Sequence, residues 1–331
     1  MQIEYPLKIA GLGRYLPERI VTNDELEALC KLPHGWIEKH NGVCERRWVS
    51  GETSSYMGAQ AAREALDEAG LKLTDIDLVL NASGTPEQAI PDTGALIQKQ
   101  LGLGSSGIPS MSIHATCLSF VAALDMSASL IASGRYRNIL IVSADIGSCG
   151  VNPKEAESAT LLGDAAAAAV VTAAEQGETS KLHSALMRTY SDGAYYTTIM
   201  GGGSGKHPNH LETRFEDNLF HMDGPAVLRM VRKYSADYLE ALRPGLSRGL
   251  PRIDIVVPHQ ASKIGLAMLT RFGWPDERIM RTLEWLGNCV AASIPVTLYD
   301  AVRKGRIQRG DQVLLVGTGA GLSLGGVILT Y

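Results

Sequence analysis

The chain has 331 residues, 45% apolar and 20% charged, with a net charge of −4. That length suits two domains or one large duplicated fold, and the balance is that of an ordinary globular protein. Without a long basic run, nucleic acid is not expected as the main partner.

Taken in chain order, the opening MQIEYPLKIAGLGRYLPERIV has no charged segment followed by an apolar one, so no secretory signal is read. Within it, GLGRYLP (11–17) looks like a dinucleotide loop but lacks the third glycine and runs into Pro17 instead of a helix. SSYMGAQAAREALDEAG (54–70) has helical spacing, and IDLVLNASG (76–84) reads as a strand. HATCLSFVAALDMSASLIASG (114–134) reads as a helix with Cys117 at its mouth, followed by the strand NILIVSAD (138–145). The run AAAAAVVTAA (165–174) is too short to cross a bilayer, which needs ~20 residues, so no membrane partner is expected. AVLRMVRKYSADYLEALR (226–243) reads as a helix, and IDIVVPHQAS (253–262) and QVLLVGTGAG (312–321) as strands. Unbroken Val/Ile/Leu runs indicate strands buried on both faces, and their alternation with helices indicates an α/β fold.

Two of these strands echo each other, IDLVLNAS and IDIVVPHQAS, each preceded by a helix. Downstream, Cys117 stands as far before Gly134 as Asn288 stands before Gly305, and both glycines lead into an apolar strand. This predicts an internal duplication of a unit of roughly 160 residues, with Cys117 and Asn288 at equivalent helix starts. The alternative is that α/β proteins reuse similar strand–helix rhythms. Under duplication, Cys117, His259 and Asn288 converge at strand ends and helix N-termini, where ligands of α/β folds gather.

The five cysteines, at 30, 44, 117, 149 and 289, are odd in number and form no Cys-x-x-Cys. Neither a disulfide framework nor a metal site is expected, and a reducing cytoplasm is the expected compartment. A free thiol has a pKa of about 8.5, and a helix N-terminus favours the thiolate, so Cys117 is a candidate nucleophile. Taken alone, it reads equally as core filler, since free cysteines are among the most buried residues. His259, after a strand halted by proline, is a candidate acid, base or donor, or else a hydrogen-bonded core residue. Asn288, between a glycine and an apolar helix, is a candidate donor or else an N-cap. GTGAGLSLGG (317–326) forms a tight turn whose N–H groups suit half of an oxyanion hole.

Taken together, these stretches resemble the ketoacyl-ACP synthase III group of the thiolase superfamily along essentially the whole chain. The resemblance is carried by GLGRYLPERIVTNDELE, ATCLSF, LLGDAAAAAVV (161–171), VVPHQAS, GNCVAASIPVTLYDAV and the closing GTGAGLSLGG. It implies a thiolase-like, five-layered αβαβα fold of two halves, residues 1–174 with the cysteine and 175–331 with the histidine and asparagine, and a homodimer. It implies that Cys117 takes an acyl group from an acyl-CoA or acyl-ACP, and that His259 and Asn288 hydrogen-bond the thioester carbonyl of malonyl-ACP or malonyl-CoA. Decarboxylation then yields an enolate that attacks the acyl-Cys117. The backbone N–H groups of Cys117 and Ala320 form the oxyanion hole, and no resident cofactor is implied, only coenzyme A or acyl carrier protein thioesters.

The same resemblance places Trp36, Ile90, Leu162 and Gly224 as substrate-binding positions. Arg229, Lys263 and Arg271 are the implied carrier-docking cations. This chain departs from the family pattern at several points. Leu118-Ser119-Phe120 follows the nucleophile, His40 and Cys44 stand where arginines are usual, Ala156 lies where an arginine closes the Trp36 stack, and Ile264 replaces a basic residue after the PHQA motif. With Ile90 and Leu162 in place of aromatics, these changes point to a medium-chain or specialised primer. Transfer of the acyl group to a hydroxyl or amine is the alternative activity. A Cys–His–Asn hydrolase and a non-catalytic partner subunit are two further readings.

Overall fold

The repeated Ile-Asp pairs perform the same local job twice. In this computed structural model, which describes residues 4–331, the Asp77 N–H donates to Asn138 O at 2.9 Å and the Asp254 N–H to Gln312 O at 2.8 Å. Each carboxylate also accepts from the neighbouring strand, Asp77 from the Arg137 and Asn138 N–H groups and Asp254 from the Gln312 N–H. Each short strand is thereby locked in register with a parallel neighbour from its first residue.

The first sheet contains β1 (Leu7–Tyr15), β2 (Leu78–Asn81), β3 (Ser110–Ser112), β4 (Asn138–Ile146) and β5 (Asp164–Ala173), in the spatial order β1-β5-β4-β2-β3. The second contains β6 (Lys181–Thr189), β7 (Ile255–Pro258), β8 (Gln312–Gly319) and β9 (Ser323–Thr330), in the order β7-β8-β9-β6. In each, a parallel pair, β2/β4 or β7/β8, is extended by two antiparallel pairings. Where the first sheet adds β3 beside β2, the second has a lone parallel bridge between Val256 and Ile279. The matching order and polarity decide for duplication over a shared rhythm.

Helices that pack on the sheets or border the site are α1 (Trp36–Asn41), α2 (Ser54–Ala69), α3 (Thr93–Gln100), α4 (Ser119–Ala132), α5 (Gly224–Leu242), α6 (Lys263–Met268) and α7 (Ser293–Arg303). Strand side chains alternate between two cores, as their two-residue period requires. Leu78, Leu80, Ile139 and Ile141 of the first sheet share a central core with Val313, Leu315, Val327 and Leu329 of the second. Phe120 and Leu124 of α4 and Ile294 and Leu298 of α7 fill that core. The intervening residues Val79, Leu140 and Val142 face α2 and α3, while Val256, Leu314 and Ile328 face α5. The result is five layers, helix, sheet, helix, sheet, helix. Phe120 and Leu124 are fully buried, each worth about 1.5–3 kcal/mol of transfer free energy.

The register of the two central helices corrects one expectation. Ser119 and Ser293 open α4 and α7, and the Oγ of each accepts the backbone N–H four residues earlier, from Ala115 and Cys289, at 3.0 Å in both cases. Three residues before each serine stands a β-branched residue in the left-handed region, Thr116 at φ 52° and Val290 at φ 51°. The counterpart of Cys117 is therefore Ala291, and that of Asn288 is His114. Helix α4 has 14 residues and α7 has 11, about one turn fewer. That missing turn is why equal spacing to Gly134 and Gly305 paired the wrong residues.

Candidate active site

Two strained turns meet at Gly84. A β-branched residue at positive φ costs about 1–3 kcal/mol and persists only where packing enforces it. A Cβ at Gly84 would lie 2.6 Å from Val290 Cγ1 and 3.3 Å from Thr116 O, so only glycine lets both turns close on the loop after β2. A similar approach occurs at Gly317, where a Cβ would lie 2.6 Å from His259 Cβ and 3.3 Å from Leu118 Cδ2. Strand β8 thus carries the histidine on one side and receives the cysteine turn on the other.

Cys117 sits in a single tight turn, Thr116–Leu118, just before α4, with Leu118 fully buried beneath it. The residue itself is half-buried. The backbone N–H groups of Ala320 and of Cys117 lie on the sulfur's side of the turn and lower its pKa. The Thr116 hydroxyl, 3.5 Å from Ala320 O, spans the same gap.

The expected thiolate is corrected here. Burial first, then the negative charge of Asp145, push the Cys117 thiol up to about 12, against the pull of the two N–H groups. A helix terminus supplies about 0.3–1 kcal/mol, rarely ~2, and desolvation beside a carboxylate outweighs it. The resting group is a protonated thiol. Alkylation of Cys117 by iodoacetamide, followed on its peptide by mass spectrometry, is therefore expected to be slow at pH 7 and still rising at about pH 10. A plateau by about pH 8 contradicts this.

His259 follows the last residue of β7, and its N–H donates to Val316 O at 2.8 Å. Burial lowers its pKa to about 4, so the imidazole is neutral at physiological pH. Its Nδ1 has no hydrogen-bond partner among the described residues. Gln260, also buried, braces the strand end. Its Nε2 donates to Pro258 O and Met280 O, and its Oε1 accepts the Thr282 and Leu283 N–H groups. The glutamine of the PHQA motif thus links the histidine strand to the segment that leads into Asn288.

Asn288 is not an N-cap, since α7 begins at Ser293 with Ala292 at its cap. It is clamped to the first half as a parallel bridge to Leu162, its N–H donating to Leu161 O at 2.8 Å and its carbonyl accepting from the Gly163 N–H at 3.0 Å. Its Oδ1 accepts the Val290 N–H at 2.9 Å. The Nδ2 amide donates to no acceptor among the described residues. A carboxamide whose oxygen is tied back and whose NH2 is unspent is fixed as a donor.

The remaining predicted residues scatter more widely. Leu162 is buried, and its carbonyl accepts from Trp48 Nε1 at 3.1 Å. Trp36 opens α1 half-buried, with the His40 ring stacked on it at 4.3 Å between centroids. Gly224 opens α5, where a Cβ would come within 3.4 Å of Glu157 Oε1. Ile90 is 86% exposed on the loop before α3 and belongs to none of the buried clusters. Lys263 lies over Gly42 and lines a cleft of about 540 Å³ with Lys39, Cys44 and Arg281. Arg229 and Arg271 are exposed and outside that cleft. Sequence reasoning missed Lys39 and Arg281, whose only signal was a positive charge on short helical or turn segments. It also missed Asp145, hidden at the end of a strand. No described helix is long and apolar enough to cross a membrane.

Comparison with known proteins identifies the family. The family described as 3-oxoacyl-[acyl-carrier-protein (ACP)] synthase III matches residues 111–191, which include Cys117, and its C-terminal counterpart matches 249–331, which include His259, Asn288 and Ala320. The chain is 33% identical to the beta-ketoacyl-[acyl-carrier-protein] synthase III of Aquifex aeolicus over 98% of its own length and 99% of that protein. It is 34% identical to synthase III 1 of Bacillus cereus, covering 98% of each chain. The crystal structure of the Aquifex aeolicus synthase superposes with a TM-score of 0.86 at 31% identity, covering 98% of this chain and all of that one. Xanthomonas campestris OleA shares the fold, with a TM-score of 0.85 at 21% identity over 98% of each chain. With full-length identity above three residues in ten, this chain belongs to the beta-ketoacyl-[acyl-carrier-protein] synthase III family and is a transferase of that condensing type.

Proposed function

We propose that the chain joins an acyl primer held on Cys117 to a malonyl thioester with loss of carbon dioxide, giving a 3-ketoacyl thioester. The observation that carries this is the donor set around the sulfur. The N–H groups of Cys117 and Ala320 act on the atom that would carry the acyl group, lowering its pKa, while a neutral imidazole and a carboxamide with an unspent NH2 stand on the elements packed against that turn.

In the first half-reaction the Cys117 sulfur attacks the primer thioester, and its proton ends on the departing thiol. No thiolate has to accumulate, which suits a group whose pKa is raised. The tetrahedral oxyanion is held by the two N–H groups, donors of a kind worth about 10²–10³ in rate each. In the second, His259 and Asn288 donate to the malonyl thioester carbonyl, C–CO₂ cleavage leaves an enolate, and its carbon attacks the acyl-Cys117 carbonyl and expels the sulfur, which regains its proton from water. Two separate half-reactions imply ping-pong kinetics. A neutral donor pair suits an enolate because it adds no charge that would bind the malonyl carboxylate more tightly than the transition state. No step calls for a resident cofactor or metal.

The division of labour follows the two halves, residues 1–174 supplying the nucleophile and 175–331 the enolate donors. The cleft where Lys39, Lys263 and Arg281 stand beside Glu38 and Glu284 is the proposed seat of the phosphate-bearing arm of coenzyme A or of an acyl carrier protein, with Trp36 and Gly224 as further substrate-binding positions. Arg229 and Arg271 are the more distant docking cations. Ile90, exposed on a loop, is proposed to reach the acyl channel of a second copy in a homodimer. Together with Leu162 it leaves room for a medium-chain or specialised primer. The test is intact-protein mass spectrometry after incubation with a panel of acyl thioesters. A C6–C10 acyl adduct on Cys117 forming faster than acetyl or butyryl is expected, and rapid acylation by the two short chains alone would refute the primer assignment.

A further inference from the structure

Behind the cysteine, β4 carries a carboxylate that the steps above do not use. Asp145 is fully buried, and no lysine, arginine or histidine among the described residues pairs with it. Its charge is met by four donors arriving from two directions. Oδ1 accepts the Gly84 N–H at 2.8 Å, the Thr85 N–H at 2.7 Å and the Thr85 hydroxyl at 2.8 Å. Oδ2 accepts the Ala292 N–H at 3.0 Å. The first three donors belong to the loop after β2 in the first half. The fourth belongs to the turn that follows Asn288 in the second. Gly84 is also the point on which Thr116 and Val290 close.

A lone buried carboxylate is costly, and its desolvation is offset only where donors converge on it. We infer that Asp145 is a positioning residue, tying the Gly84–Thr85 loop to the Asn288 turn and so fixing where the Asn288 carboxamide stands relative to Cys117. This rests on the proposed role of Asn288 toward the enolate.

Asparagine at this position keeps the size but replaces one acceptor oxygen with an NH2. That group must face either the Ala292 N–H or the Gly84–Thr85 donors, so one side of the tie opens. A second consequence separates positioning from plain stability. Asp145 is one of the groups that hold the Cys117 thiol up, and removing its charge eases ionisation of that thiol. The same charge also raises the neighbouring Cys149 and Cys289 thiols, so alkylation is followed on the Cys117 peptide itself.

The test compares wild type, Asp145→Asn and Thr85→Val. For Asp145→Asn, full acylation of Cys117 is expected by intact mass, with malonyl decarboxylation and condensation lowered at least about tenfold. The pH of half-maximal Cys117 alkylation is expected to fall by about one unit. Thr85→Val removes one donor to the carboxylate and the acceptor of the Ile146 N–H but leaves a carboxylate that is ionised at alkaline pH, so condensation should fall a few-fold while the alkylation profile stays put. Condensation by Asp145→Asn within twofold of wild type overturns the inference. So does a joint fall of acylation, decarboxylation and melting temperature with an unmoved alkylation profile. If Asp145→Asn does not fold, wild-type condensation by Thr85→Val overturns it. Failure of the Asn288 reading shows separately, as wild-type decarboxylation by Asn288→Ala.

Discussion

Replacing Cys117 with alanine is expected to abolish acylation and condensation, by at least about a thousandfold, while leaving decarboxylation of a malonyl thioester in place. The sulfur forms the only covalent bond to the primer in this chemistry, and a methyl group has no lone pair with which to attack. Loss of a covalent nucleophile removes a whole half-reaction and not a fraction of a barrier. Decarboxylation depends on other groups. It needs donors at the thioester carbonyl, and His259 and Asn288 are anchored by bonds that do not involve the thiol, His259 to Val316 and Asn288 to Leu161 and Gly163. Alanine is also the residue found at the equivalent position of the second half, Ala291, which is fully buried there. The variant should therefore fold. Carbon dioxide release and intact mass, measured on one sample, check both halves of the expectation.

Replacing Asn288 with aspartate is expected to do the reverse. The Oδ1 contact to the Val290 N–H is one that a carboxylate keeps, so the turn stays closed and only the NH2 donor is lost. An ionised carboxylate at that point also repels the enolate. Decarboxylation and condensation should fall by about 10²–10³, the usual effect of deleting one preorganised donor, while the acyl-Cys117 adduct forms normally. In the wild type the same step should hold its rate as pH falls from about 8 to about 5. Burial lowers the His259 pKa to about 4, so the imidazole takes up its second proton mainly below that range. A steep loss of decarboxylation near pH 6.5, the range of an unperturbed histidine, would contradict this.

Much of this molecule was legible in its sequence because strand and helix periods constrain so strongly. The Ile-Asp repeats at 76–77 and 253–254 marked equivalent strands, and the duplicated sheets follow from them. The glycine-rich 317–321 stretch reads as a tight turn, and its Gly317 lets the His259 and Leu118 side chains close on β8. The errors have equally local causes. Counting back from Gly134 and Gly305 failed because α7 is a turn shorter than α4, and helix length is set by tertiary packing. The dipole argument for a Cys117 thiolate failed because burial and Asp145 act on the sulfur more strongly than one helix end. Asp145 itself lay unread inside NILIVSAD, since a strand-end aspartate gives no sign of which way it turns. Ile90, 86% exposed, acquires its proposed role only from a second copy, which one sequence does not describe.

What has to be true is that carbon–carbon bond formation at Cys117 is coupled to loss of one carboxylate. The most direct measurement isolates the acyl-Cys117 protein, free of excess primer, and mixes it once with malonyl-ACP. One equivalent of carbon dioxide and one of 3-ketoacyl-ACP should appear for each acyl group that leaves the sulfur. Loss of the acyl group to water, a hydroxyl or an amine, with no carbon dioxide released, would contradict the condensing mechanism proposed for this site.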